Sequence, residues 1–147
     1  MHPPVLVVGH DADRLAATRD ALVRGHLSNP VVACRDADDA RDYVLGRGAY
    51  ADRDRHPLPA VVVTDLRLAS GSGIDVLRAV RGHLRMRRTP VVVVADTAAG
   101  VDDEEIREVH HLGAAAFLAE HVAPDVLLGV IRETGVPWSV GRVELGA

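Results

Sequence analysis

A lone carboxylate closes a run of valines: residues 60–65 read AVVVTD and lead into LRLASGSGID. Three consecutive valines favour a short strand buried on both faces of a parallel sheet, and that burial stops at Asp65. At the carboxyl end of a central strand in an open parallel sheet, such a group stands in the crevice where ligands bind. The alternative is an ordinary turn or helix-entry aspartate. Other ionisable side chains recur at the same kind of place: His10 and Asp11 after VLVV, Asp96 after VVVVA, Glu120 and His121 beyond AAAFL. If those strand ends converge, a protonated His10 could offset the negative charge of Asp65, Asp96 and Glu120. Imidazole with carboxylate also suits zinc or nickel, but no tight ligand spacing supports such a site. His110 and His111 read as ordinary helix residues, one of them at the surface. Cys34, the single cysteine, lies in an apolar stretch and reads as a small core residue rather than a nucleophile.

The elements that must position these groups alternate along the chain. Val5 to Val8 form a first strand, followed by Leu15, Leu22 and Val23 at helical spacing up to Gly25. Pro30 opens the strand VVAC, and Asp36 with Asp39 starts a helix that runs to about Gly46. The polar stretch RGAYADRDRHPLP, 47–59, reads as an exposed loop of the kind that often serves interactions. After Asp65, Ser72 is the expected N-cap of a helix carrying Ile74, Leu77 and Val80 inward. Pro90 introduces VVVVAD, a fourth buried strand. Asp102 and Glu105 form a capping-box start for a helix with Ile106, Val109 and Leu112 inward, closed by Gly113. AAAFL is a short fifth strand, and Pro124 opens a last helix with Leu127, Leu128 and Ile131, ended by Gly135. Five strands alternating with five helices predict an α/β fold, a doubly wound five-stranded parallel sheet with helices on both faces.

Composition narrows the function. At 147 residues the chain fits one domain, 1–135, with a tail, 136–147, too short for a separate output domain. Trp138 in that tail is either a packing anchor or part of a self-association surface. No apolar run approaches a membrane span, and MHPPVLVV lacks the basic start and long apolar core of a signal peptide, so a cytoplasmic location is expected. A net charge of −4 argues against a general nucleic-acid surface. All 17 basic residues are arginine, which matches a codon habit and excludes any mechanism that needs a lysine. The SGSG after Asp65 lacks the spacing of a phosphate-cradling loop, and a phosphatase-like site would want a second aspartate where Arg67 stands. No enzymatic activity is therefore expected.

With strands ending near His10, at Asp65, at Ala95 and near Glu120, the chain resembles a receiver domain of bacterial response regulators over nearly its whole length. The long loop before the third strand, its RGAY phrase and the tryptophan-bearing tail resemble in particular the stand-alone receivers that partner bacterial phytochromes. The resemblance implies a flavodoxin-like strand order 2-1-3-4-5 and makes Asp65 the position that accepts a phosphoryl group from a histidine kinase. Gly73 matches the glycine that opens the family's third helix, and Phe117 its switch aromatic. The rest departs from the pattern. The acidic pair that holds magnesium falls on Gly9 and His10, the switch threonine or serine on Ala95, the following small residue on Asp96, and the Lys-Pro pair on Glu120 and His121.

Magnesium wants carboxylate and water oxygens, and phosphoryl transfer depends on neutralised charge, so these departures imply weak or absent magnesium binding. Asp11 could reach in from one residue beyond the usual pair. Glu120 in place of lysine turns attraction into repulsion, roughly 4 kcal/mol at 4 Å and an effective dielectric near 20 before screening. The expected function is an atypical receiver acting as a protein-interaction module, without cofactor and with weak or no phosphorylation. Its partner is a sensor kinase or downstream protein on the face of the fourth helix, fifth strand and fifth helix, with a homodimer among the expected assemblies. The alternative is a conventional phosphorelay receiver phosphorylated on Asp65.

Overall fold

The structure, a computed structural model, describes residues 3–9, 11–24, 29–95, 100–119 and 124–133. The order is β1 (Val5–Val8), α1 (Ala12–Arg24), β2 (Val31–Cys34), α2 (Ala37–Leu45), a 3-10 turn (Gly48–Tyr50), β3 (Val61–Asp65), α3 (Gly73–Gly82), β4 (Val91–Ala95), α4 (Asp103–His111), β5 (Ala116–Ala119) and α5 (Pro124–Glu133). All neighbouring strands pair in parallel in the order β2-β1-β3-β4-β5, as expected. The valine runs are buried because successive side chains enter opposite layers. Leu6, Val8, Val62, Val91 and Val93 join α2, α3 and α4 in one core, whereas Val5, Val7, Val61, Val63 and Val92 meet Leu22 of α1 and Ile131 of α5 in the other.

Local signals set the helix ends. The Asp36 side chain accepts from the Asp39 amide at 2.8 Å, and the chain leaves α2 through Gly46 at φ 69°. Ser72 caps α3, and Asp75 completes a capping box there; Asp102 and Glu105 do the same for α4. Val109 is the buried residue of α4, with Ile106 and Leu112 half-buried; His110 and His111 are both exposed, where one had been expected at the surface. The cause is position: both fall in the last turn, away from the Val109 stripe. Cys34 is fully buried, as expected, and burial followed by the charge of Asp39 pushes its thiol from 9.0 up to about 12.

The stretch 47–59 is largely exposed, as expected, but it is pinned to α2 from within. Arg53 Nη1 donates to the carbonyls of Tyr43 (2.7 Å) and His56 (3.2 Å), and Nη2 to that of Val44 (2.6 Å), so the guanidinium covers the open carbonyl end of α2. The Tyr43 hydroxyl donates to the Pro57 carbonyl at 2.8 Å, and the Tyr50 hydroxyl to Asp39 at 2.7 Å. Tyr50 also lies against Tyr43, tilted, and against His56, edge to face, with ring centroids 4.9 and 5.2 Å away. These inward bonds pin a polar segment as a strap, while Arg47, Gly48, Ala49, Ala51, Asp52, Asp54 and Arg55 stay exposed. Gly25, Gly135 and Trp138 lie outside the described residues.

Arg81 does for α4 what Arg53 does for α2. From α3 its Nε donates to the Leu112 carbonyl, its Nη2 to that of Gly113 and its Nη1 to that of Thr89, at 2.7–2.8 Å. Burial holds its pKa below the ordinary arginine value. Arg78 Nη2 meets Glu108 Oε1 at 3.0 Å, joining α3 to α4 a second time.

Candidate functional site at the end of β3

The parallel register pairs Val8 with Thr64, which puts Gly9 level with Asp65 at the carboxyl edge of the sheet. α1 begins directly beyond. Asp11 Oδ1 accepts from the amides of Asp13 (2.9 Å) and Arg14 (3.3 Å), so Asp11 caps α1 instead of reaching Asp65. That cap fixes the first turn, from which Arg14 extends back over the sheet edge. Its Nη2 lies 2.7 Å from Asp65 Oδ1, a charge-assisted hydrogen bond. The Asp65 side chain is 13% exposed and that of Arg14 31%. A pair this open contributes at most about 1 kcal/mol to stability, so its larger effect is on the charge that Asp65 presents.

Two glycines shape the ground around Asp65. A Cβ at Gly9 would stand 2.8 Å from Asp65 Oδ2 and 3.3 Å from Leu15 Cδ2, so no carboxylate fits at that position unless Asp65 moves. A Cβ at Gly73 would collide with the Asp65 carbonyl oxygen, and the Gly73 amide donates to the Leu66 carbonyl at 2.8 Å. Gly73 thereby lets α3 start against β3, while Gly9 leaves the acidic-pair position without a side chain. Ala95, at the end of β4, is buried and offers no hydroxyl. Phe117 in β5 is half-buried against the α2–α4 core.

Beyond Asp65 the chain turns through Arg67, whose Nη1 and Nη2 grip Glu105 Oε2 and Oε1 at 2.6 and 2.7 Å. Glu105 is also the capping-box residue of α4, accepting from the Asp102 amide at 3.2 Å. The connection after β3 is thus tied to the start of α4 by a bidentate pair. Sequence reading named neither Arg14 nor Arg67 as a partner of these carboxylates. Arg14 did carry a signal, because a cation in the first turn of a helix opposes the dipole and implies a nearby anion.

His10, Asp96, Glu120 and His121 lie outside the described residues, so the expected pairing of His10 with Asp65 has no geometry here. Among the described residues, the cation on Asp65 is Arg14. The donor set they provide does not fit magnesium: Asp65 is engaged by a guanidinium, Asp11 by two amides, and Gly9 has no side chain. Nor do they hold any group of three His, Cys, Asp or Glu side chains arranged to hold a metal ion.

This sheet order with a carboxylate on β3 defines a receiver-type α/β domain. No protein-family model matches the chain. The solved structure described as "Bacteriophytochrome response regulator RtBRR" is 31% identical, with a TM-score of 0.80 over 95% of this chain and 82% of that one. The bacteriophytochrome response regulator AtBRR is 32% identical, with a TM-score of 0.78 over 95% and 96%. The acid tolerance regulatory protein ActR of Rhizobium meliloti (strain 1021) is 31% identical over 130 residues, 88% of this chain. The chain spans 42% and 63% of the lengths of the curated relatives it matches. It belongs to the response-regulator receiver family and serves as a receiver in two-component signalling. Among the described residues no helix is long and apolar enough to cross a membrane.

Proposed function

We propose that this receiver works as a cytoplasmic protein-interaction module in which Asp65, the position that aligns with the phosphoacceptor, is held by Arg14 and takes a phosphoryl group weakly or not at all. The observation that carries this reading is the 2.7 Å pair between Arg14 and Asp65. Phosphoryl transfer to a carboxylate forms an O–P bond only if the carboxylate oxygen is free to attack and the incoming charge is neutralised. Arg14 occupies Asp65 Oδ1, Gly9 leaves no acidic side chain for a metal, Ala95 gives no hydroxyl, and the chain has no lysine. Output through the face formed by α4, β5 and α5 is part of the reading, with a sensor kinase or a downstream protein as partner. Self-association through that same face belongs to it too. The anchoring of α4 by Arg67, Arg78 and Arg81 supports a preset surface, because it depends on nothing bound at Asp65.

The test is intact-mass spectrometry after incubation with acetyl phosphate and magnesium, with Asp65→Asn as control. The expected result is the unmodified mass in both proteins. A phosphoryl adduct on the wild type that is lost in Asp65→Asn would establish the conventional phosphorelay receiver instead. Solution scattering separates the assemblies: a monomer at every concentration removes the self-association.

A further inference from the structure

The connection between α3 and β4 gathers exposed arginines around an exposed leucine within five residues. Met86, at its centre, is buried in the core. The Met86 amide donates to the His83 carbonyl at 3.0 Å, the Thr89 amide to the Met86 carbonyl at 2.8 Å, and the Arg85 amide to His83 Nδ1 at 3.2 Å. The turn is therefore anchored at its middle and at both ends, and the side chains around Met86 point away from the body. Leu84 is 79% exposed, and Arg85, Arg87 and Arg88 are exposed beside it. Among the described residues none of these three guanidinium groups has a carboxylate partner, in contrast to Arg14, Arg67 and Arg78.

Magnitudes decide what fits this patch. Proteins that hold nucleic acid by its backbone make roughly 6–10 phosphate contacts, and anionic lipid surfaces are read by clusters of about 4–8 basic residues. Three arginines around one leucine fall short of both, on a chain of net charge −4. The complementary surface is a few carboxylates beside an apolar side chain. This chain carries one at the start of α4, where Asp102, Asp103 and Glu104 are exposed and Val101 is half-buried. Asp103 and Glu104 have no ion pair among the described residues. The basic turn precedes β4 and the acidic turn follows it, so the two lie at opposite ends of a strand about 16 Å long.

From this arrangement we infer that residues 84–88 of one copy dock on the first turn of α4 of a second copy, with Arg85, Arg87 and Arg88 against Asp102, Asp103 and Glu104, and Leu84 against Val101. Two different patches at opposite ends of one flank meet by translation along the strands, not by a two-fold axis. Such an association is head-to-tail and does not close at the dimer. It is independent of the chemistry at Asp65; it pairs the α3–β4 turn with the N-terminal end of α4, so it meets the α4, β5 and α5 face at one end only.

Sedimentation velocity of the full chain over a concentration series, at roughly 20 mM and roughly 0.5 M salt, tests it. The wild type is expected to grow past the dimer with concentration at low salt and to revert to monomer at high salt. The variants R85E/R87E/R88E and D103R/E104R, each checked for folding by circular dichroism, are expected to stay monomeric alone and to associate when mixed, because each supplies the charge that the other lacks. Asp102 is kept because it caps α4. A wild type that is monomeric at low salt, a salt-insensitive dimer that persists in both variants, or a mixture that fails to associate would each overturn the inference. Capture of monomers on anionic vesicles or duplex DNA through the same arginines, without self-association, would do so as well. If a variant does not fold, the salt dependence of the wild type still decides.

Discussion

Arginine does two different jobs in two regions of this molecule. At the strap after α2 and along the seam between α3 and α4, Arg53 and Arg81 donate to backbone carbonyls that end a helix or open a strand. At the carboxyl edge of β3, Arg14 and Arg67 bond to carboxylates. The first kind completes hydrogen bonds that the fold itself leaves open, so its loss is felt as stability. The second kind sets the charge and the freedom of a site that the fold would form without it. A chain without lysine has assigned both tasks to one residue type, and only the identity of the acceptor tells them apart.

The sharpest break in that contrast comes from Arg81→Ala, which strips three carbonyls of their donor around α4. We expect a loss of about 3 kcal/mol in urea unfolding, from hydrogen bonds to a charged donor that is only partly screened. Arg53→Ala should cost less, about 2 kcal/mol, because the Tyr43, Tyr50 and His56 rings still hold the strap, and limited proteolysis should cut within 47–59 first. If either variant unfolds like the wild type, the carbonyl contacts are not structural.

An alkaline titration sharpens the same comparison without mutation, because the strap encloses Cys34 and Tyr50. Burial and Asp39 raise both groups above their ordinary values, so the folded state keeps protons that the unfolded chain gives up. The contribution of Cys34 is complete below pH 9 and is lost as pH rises from 9 towards 12, at up to about 1.4 kcal/mol per pH unit; that of the more exposed Tyr50 starts to fall only above 10 and is smaller because solvent screens it. Cys34→Ala should flatten the first part of that fall. Arg14→Ala stands at the small end. A change under about 1 kcal/mol is expected, with the fold intact and Asp65 more open to solvent. A large loss of stability there would place Arg14 with the scaffold arginines.

The scaffold was legible in the sequence wherever a signal was local. The valine runs fixed the strands, and Asp36, Ser72 and Asp102 marked helix starts that the structure reproduces. Asp65 was legible as well, since an apolar run that ends in one carboxylate is read within six residues. The partners were not. Arg14 is 51 residues from Asp65, and Arg67 is 38 from Glu105, and no periodicity encodes such a meeting. The anchor of the strap was hidden for the same reason: alternating Arg and Asp in 47–59 reads as solvated, and Asp52, Asp54 and Arg55 are exposed, but Arg53 turns towards α2. Asp11 went the other way, its local role as a helix cap being stronger than a longer reach to the site.

Whether the Arg14–Asp65 pair replaces phosphorylation is tested most directly with a phosphoryl mimic that does not hydrolyse. Fluorine NMR of the protein with beryllofluoride and magnesium reads occupancy of Asp65 without depending on the lifetime of an acyl phosphate. No protein-bound fluorine signal is expected for the wild type or for Asp65→Asn. A saturable bound signal in the wild type that disappears in Asp65→Asn would contradict the pairing as the resting and working state of the site.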